Sequence, residues 1–99
     1  MKANFSDFFT VTTAEASGGK TIAFGCTPSY IKILVDEDAT SPDFIEVFYD
    51  GTTTSEVFTT GTTGVITVTA HVTVNAKGFT IAAAALTDGD VNAYIATRL

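Results

Sequence analysis

The sequence is poor in the residues on which disulfide-stapled scaffolds and zinc proteins depend. Tryptophan is absent, and Cys26 and His71 are the only cysteine and the only histidine among the 99 residues. A single cysteine forms no intrachain disulfide, which excludes a disulfide-stapled secreted fold. One cysteine and one histidine are also too few to supply the three or four protein ligands of a zinc site. We therefore expect no metal, no cofactor, and a chain that is made in a reducing cytoplasm.

Charged residues are also scarce, and basic residues are the rarest. They make up 16% of the chain, with five Lys and Arg against eleven Asp and Glu, for a net charge of -6. Phosphate backbones repel such a chain, so we expect no nucleic-acid partner. No apolar run approaches the ~18 residues of a membrane-spanning helix, and the first residues lack the apolar core of a signal peptide. We therefore expect no membrane partner.

Threonine, serine and glycine take the place of charge, and this composition favours strands. Threonine is both β-branched and polar, which suits the exposed face of a strand. Runs with strand character recur between turn signals at the roughly 8–12-residue spacing of sandwiches and barrels. The eight predicted strands are residues 8–13, 20–24, 30–35, 44–49, 55–60, 65–74, 79–84 and 91–97. The sequence predicts an all-β fold, an antiparallel β-sandwich that is jelly-roll-like, with a small closed β-barrel as the alternative.

No independent helix is predicted. The Ala-rich run 81–86 could form a turn or two, but it has no cap and is short for a stable helix. Residues 1–7 are assigned to an N-terminal extension and residues 8–99 to a single domain. Phe5 is the one aromatic of that extension. The extension is interpreted either as a frayed end or as an arm that pairs with a neighbouring strand edge, with Phe5 as its anchor.

The run 65–74 shows the clearest period-two alternation in the chain. Its apolar face and those of the strands at 30–35 and 91–97 predict the core, which is formed by Ile31, Ile33, Val35, Ile66, Val68, Val72 and Ile95. Its other face is polar and almost uncharged, and it contains Thr67, Thr69, His71 and Thr73. Interface centres are depleted in Lys, Glu and Asp, so this face is a candidate partner contact, with a homo-oligomer expected and a trimer favoured.

None of the candidate chemical motifs is complete. A Cys26–His71 dyad would need the two side chains to meet and a third group to activate them. The acidic segment 36–43 has calcium-binding residue types, but Ser41 and Val47 stand where an EF-hand loop requires Gly and Glu. We therefore expect no catalytic site, and a protein that is not an enzyme.

Four segments together resemble known proteins. They are residues 25–32, with Gly25 and Pro28 ahead of an apolar strand, the hairpin at 48–51, the strand at 78–81, and the closing segment 94–98. These segments are similar to those of small β-rich virion proteins of tailed phages, which include head decoration (cement) proteins and related fibre or spike modules. Cys26 stands where the pattern has an aromatic residue, and Ala82 stands where it has glycine.

The resemblance implies a structural protein of a phage particle. A decoration protein would stabilise the head by bridging major capsid subunits, and many copies acting together would strengthen this effect. It would be assembled in the host cytoplasm and located in the virion. The alternative is a receptor- or carbohydrate-binding module of a tail fibre or spike, although the chain lacks tryptophan, a common residue for stacking against sugars.

Overall fold

The computed structural model describes residues 3–35, 43–51, 56–60, 66–68 and 71–98. These residues form nine strands, one short helix and one 3₁₀ turn. The strands are β1 (Ala3–Thr10), β2 (Lys20–Ala23), β3 (Tyr30–Val35), β4 (Asp43–Phe48), β5 (Glu56–Thr60), β6 (Ile66–Val68), β7 (Val72–Asn75), β8 (Gly78–Ile81) and β9 (Val91–Arg98). Helix α1 spans Thr13–Gly18 and the 3₁₀ turn spans Ala83–Ala85. None of the helical segments described is long and apolar enough to cross a membrane.

The strands form two sheets, and every pairing between neighbours is antiparallel. The larger sheet has six strands in the order β1-β9-β3-β4-β5-β6, and the smaller has three in the order β2-β8-β7. The prediction of an all-β fold is confirmed at this level. Strand β3 has the predicted bounds, and β2, β4, β5 and β9 lie within one residue of theirs at each end.

The two sheets share one hydrophobic core. From the larger sheet, Ile31 and Ile33 of β3 pair with Val47 and Ile45 of β4, and all four side chains are buried. Ala96 of β9 lies beside Ile31 and is also buried. The smaller sheet contributes Ile22, Val72, Phe79 and Ile81 to the same cluster. We call the side of the six-stranded sheet that carries Ile31 and Ile33 its inner face.

The residues of the predicted N-terminal extension lie in a strand of the larger sheet. Strand β1 starts at Ala3, and each of its residues pairs with β9. The Phe5 ring stacks on Phe24 of the same chain, with 4.3 Å between ring centroids. The strand therefore begins five residues before the predicted boundary at residue 8. Alternation explains the difference, since Phe5 and Phe9 both pack against the core and continue one inward-facing row.

A helix forms where a strand was predicted to end. The predicted strand 8–13 stops at Thr10, and α1 begins after Thr12, whose hydroxyl accepts a hydrogen bond from the Glu15 N–H. Glu15 in turn accepts one from the Thr12 N–H, which completes a capping box. A hydrogen bond from Lys20, at 2.7 Å, and the one from Thr12 hold the pKa of the Glu15 carboxyl below its usual value.

Gly19 ends this helix with φ of 91° and ψ of 172°, a conformation that essentially only glycine adopts. A Cβ at this position would lie 2.8 Å from the Ile81 carbonyl oxygen. The glycine therefore allows the chain to turn from α1 into β2 close against the backbone of β8.

The long strand predicted at 65–74 is two strands in different sheets. Strand β6 belongs to the six-stranded sheet and β7 to the three-stranded sheet. Thr67 lies in β6, whereas Thr73 lies in β7 and His71 immediately before it, so these residues do not share one strand face. Thr69 lies outside the described residues.

The predicted core is correct in part. Ile31, Ile33 and Val72 are buried, and Val35 packs against the core. The side chains of Ile66 and Val68 lie outside the described part of the structure. The assignment of Ile95 to the core is wrong, because its side chain is 53% exposed. In β9 the inward positions are those of Tyr94 and Ala96, so Ile95 lies on the opposite side of the sheet.

Candidate functional site

The side chains singled out from the sequence lie on different elements of the fold. His71 is half-buried, and its backbone carbonyl accepts a hydrogen bond from the Ala82 N–H at 2.7 Å. Cys26 is half-buried in the segment after β2. Thr73 is exposed on β7. Among the described residues, no group of three or more His, Cys, Asp or Glu side chains is placed to hold a metal ion.

The most distinctive surface is the side of the six-stranded sheet opposite the inner face. Strand register arranges its side chains in three rows across β1, β9, β3 and β4. The rows are Phe8, Ala93, Leu34 and Phe44; then Ser6, Ile95, Lys32 and Glu46; then Asn4, Thr97, Tyr30 and Phe48. We call these twelve residues the outer face.

Large apolar side chains are exposed on the outer face. Phe8 is 65% exposed, Ile95 53% and Phe48 50%, and these are the large hydrophobic side chains that the described part of the chain leaves open to solvent. Single exposed apolar residues are ordinary, but grouped ones indicate an interaction site. An open groove on the same face is lined by Lys32, Leu34, Phe44, Ala93, Tyr94 and Ile95.

Strands β3 and β4 carry large apolar side chains on both faces, whereas a strand with one solvated face alternates apolar and polar residues. On β3, Ile31 and Ile33 point to the core while Leu34 lies on the outer face. On β4, Phe44 and Phe48 lie on the outer face. The inner face of these strands is covered by the protein's own core, whereas Phe48 on the outer face is 50% exposed.

Two opposite charges lie at the centre of the outer face. Lys32 and Glu46 are directly opposite each other in the β3–β4 register, yet no ion pair joins them. Glu46 instead accepts a hydrogen bond from the Tyr30 hydroxyl at 2.7 Å. The Lys32 ammonium lies over the Phe44 ring, 4.7 Å from its centroid. Each charge is thus held in place by an aromatic side chain of its own strand pair.

The aromatic side chains around these charges are themselves packed together. The rings of Tyr30 and Phe48 lie 5.1 Å apart at 53°. Desolvation, followed by the hydrogen bond to Glu46 and that carboxylate's charge, raises the pKa of Tyr30 to about 12. Tyr30 therefore stays a neutral hydrogen-bond donor through the physiological pH range, and it fixes the Glu46 carboxylate in the surface.

A second, more polar cleft lies where three of the resembling segments meet. It is lined by Thr27, Pro28, Ser29, Tyr49, Asp50, Gly51 and Arg98. The Ser29 N–H donates to the Thr97 carbonyl at 2.8 Å, and the Tyr49 N–H donates to the Ser29 carbonyl at 2.9 Å. These backbone contacts join the ends of β3, β4 and β9.

Sequence reasoning missed the outer face, although part of the signal was visible. The segments at 30–35 and 44–48 have apolar residues at both odd and even positions. A strand with one solvated face has apolar residues only at alternate positions. Which face is covered depends on the partner strands and not on the local pattern. Comparison of the chain with protein-family models, with curated proteins and with solved structures gives no match.

Proposed function

We propose that this protein is a non-enzymatic structural component of a tailed-phage particle, a head decoration protein that bridges major capsid subunits and that uses its outer face for a protein contact in the particle. The observation that carries the proposal is that Phe8, Phe48 and Ile95, each at least half exposed, lie on one sheet face. The resemblance of the four segments to small virion proteins supports the phage assignment. The virion is then the protein's location, and assembly takes place in the host cytoplasm.

A finer description of the fold belongs to the same proposal. The shared core of the two sheets supports a β-sandwich that is jelly-roll-like, with the three-stranded sheet covering the inner face of the six-stranded one. In such an arrangement the outer face of the larger sheet remains open to a broad, flat contact with another protein. A decoration protein requires a contact of this kind and no reacting groups.

The energetics suit a protein that works in many copies. Fully burying a Phe or Ile side chain contributes about 1.5–3 kcal/mol, and these three side chains are already about half covered. Each therefore offers roughly half of that range to a partner. Such a modest gain, offset by the cost of association, gives weak binding per contact. Multiple contacts on one particle raise the effective concentration and make attachment stable.

Particle composition tests this proposal. Particles produced from the genome that encodes the chain should contain it in a fixed ratio to the major capsid protein, measured by quantitative mass spectrometry. Ile95→Lys should sharply lower that ratio, because it places a charge in the apolar contact. Thr73→Lys is the matched control, because Thr73 is exposed on the three-stranded sheet, and it should leave the ratio unchanged.

Three results would contradict the proposal. The chain could be absent from purified particles, or it could be present only in tail fibres. The third is the reverse pattern, in which Thr73→Lys abolishes attachment and Ile95→Lys does not. That pattern would place the contact near Thr73, as the sequence predicted, and would show that the outer face does not mediate attachment.

A further inference from the structure

We propose that the outer face is covered by a second copy of this chain, in a two-fold symmetric dimer that sets Lys32 of each copy against Glu46 of the other. The inference rests on the proposed function in that it names a partner for the same face. The dimer would be the unit that attaches to a particle, and its formation is a property of the isolated chain.

Charge complementarity within the face carries the inference. Among the twelve residues of the outer face, Lys32 and Glu46 are the charged ones, and their charges cancel. The whole chain has a net charge of -6, so two copies repel each other over most of their surface. The outer face has no net charge and exposes the apolar side chains of Phe8, Phe48 and Ile95, so two such chains can meet on it.

Register makes the charge pair self-complementary. Lys32 of β3 and Glu46 of β4 occupy directly opposed positions, with Leu34 opposite Phe44 in the next row. A two-fold axis along the strands, between β3 and β4, places β3 of one copy over β4 of the other. Lys32 then faces Glu46 of the second copy, and Leu34 faces Phe44 of the second copy. An isologous contact has this reciprocal form, and packed sheets accommodate it with an angle of about 30° between strands.

Both charged groups are available for this contact. Lys32 is held over the Phe44 ring and Glu46 by the Tyr30 hydroxyl, so neither forms an ion pair with the other. Their positions are fixed before association, which lowers the entropy lost when they pair across the interface. A purely apolar partner would leave both charges buried and unpaired, at a large cost. A second copy supplies each charge with its opposite.

Sedimentation of charge-swapped variants tests the dimer. The wild-type chain should sediment as a dimer with a dissociation constant below about 1 mM. K32E leaves two acids on the face and E46K leaves two bases, so each variant alone should dissociate at least about tenfold more readily. An equimolar mixture should recover the dimer, because each copy then meets the opposite charge. The double variant K32E/E46K should recover it as well.

The mixture also guards against misfolding, because a chain that fails to fold does not form the mixed dimer. Three results would overturn the inference: a wild-type monomer throughout this range, a wild-type trimer, or a mixture that stays monomeric while both variants keep the wild-type circular dichroism. A monomer in solution that still attaches to particles through Ile95 would remove the dimer and leave the proposed function standing. A dimer that forms in solution but is absent from every particle would leave the dimer standing and remove the proposed function.

Discussion

Two isoleucines on opposite sides of the six-stranded sheet provide a sharp test of its two faces. Ile33 of β3 is fully buried, whereas Ile95 of β9 is 53% exposed on the outer face. Truncation to alanine removes the same three carbon atoms at either position. At about 0.8 kcal/mol per buried carbon group, Ile33→Ala loses roughly 2.4 kcal/mol of transfer free energy. The unfilled cavity adds to this, for a total of about 3–4 kcal/mol.

The same change at Ile95 should be much milder. About half of its side chain is already in water and no enclosed cavity forms, so the loss should be roughly 1 kcal/mol. Urea unfolding at low protein concentration, where association is suppressed, measures both values. Equal losses for the two variants, or a larger loss for Ile95→Ala, would show that the inner and outer faces have been assigned the wrong way round.

Three further changes have defined outcomes. Thr12→Ala removes the hydroxyl that caps α1 and should cost about 1 kcal/mol in urea unfolding, and an unchanged midpoint would show that the capping box is not formed. Gly78→Ala, at φ of 158°, would press a Cβ into the Ile22 carbonyl oxygen and should lower the free energy of unfolding by about 1–3 kcal/mol. Gly18→Ala is the control, because its Cβ would meet nothing within 4 Å, and it should be neutral or slightly stabilising. Equal effects of the two variants would contradict the β2–β8 register. Because the pKa of Tyr30 is raised from 10.0 to about 12, its contribution to the free energy of unfolding is present below pH 10 and is lost as pH rises from about 10 to 12. Desolvation and the charge of Asp7 also raise the pKa of Tyr94. Absorbance titration should therefore show a transition near pH 12 that disappears in Tyr30→Phe, and the loss of a transition near pH 10 in that variant would contradict the environment assigned to Tyr30.

The strands that the sequence predicted well are those that local chemistry defines completely. Strand β3 follows Pro28 and alternates Ile31 and Ile33 toward the core, and its bounds matched. A turn was also required between the predicted strands 79–84 and 91–97, and Gly89 adopts a φ of 86° there. In both places, turn residues and strict alternation lead to the same structure.

The errors arose where structure depends on distant partners or on very short signals. Nothing between Val65 and Val74 marks the change from one sheet to the other, because pairing with β5 and with β8 decides it. Helix α1 is only six residues long and shows no apolar stripe, so its signal was the spacing of Thr12 and Glu15.

The candidate site could be predicted least. The sequence shows apolar residues at both odd and even positions of β3 and β4, but not which side the core covers. Phe8, Ile95 and Phe48 lie on three different strands and are placed on the same face only by the order β1-β9-β3-β4 and its register. A surface built from single residues of separate strands has no motif, and only the register reveals it.

Lysine footprinting of the assembled protein tests the central claim that another protein covers the outer face. Lys32 lies at the centre of that face, and Lys77 is exposed in the turn between β7 and β8, which makes it an internal control. An amine-reactive reagent should modify both lysines in the dilute chain. In the assembled state, in solution or on particles, Lys32 should be protected while Lys77 reacts as before. Equal reactivity of Lys32 in the dilute and assembled states would contradict the account.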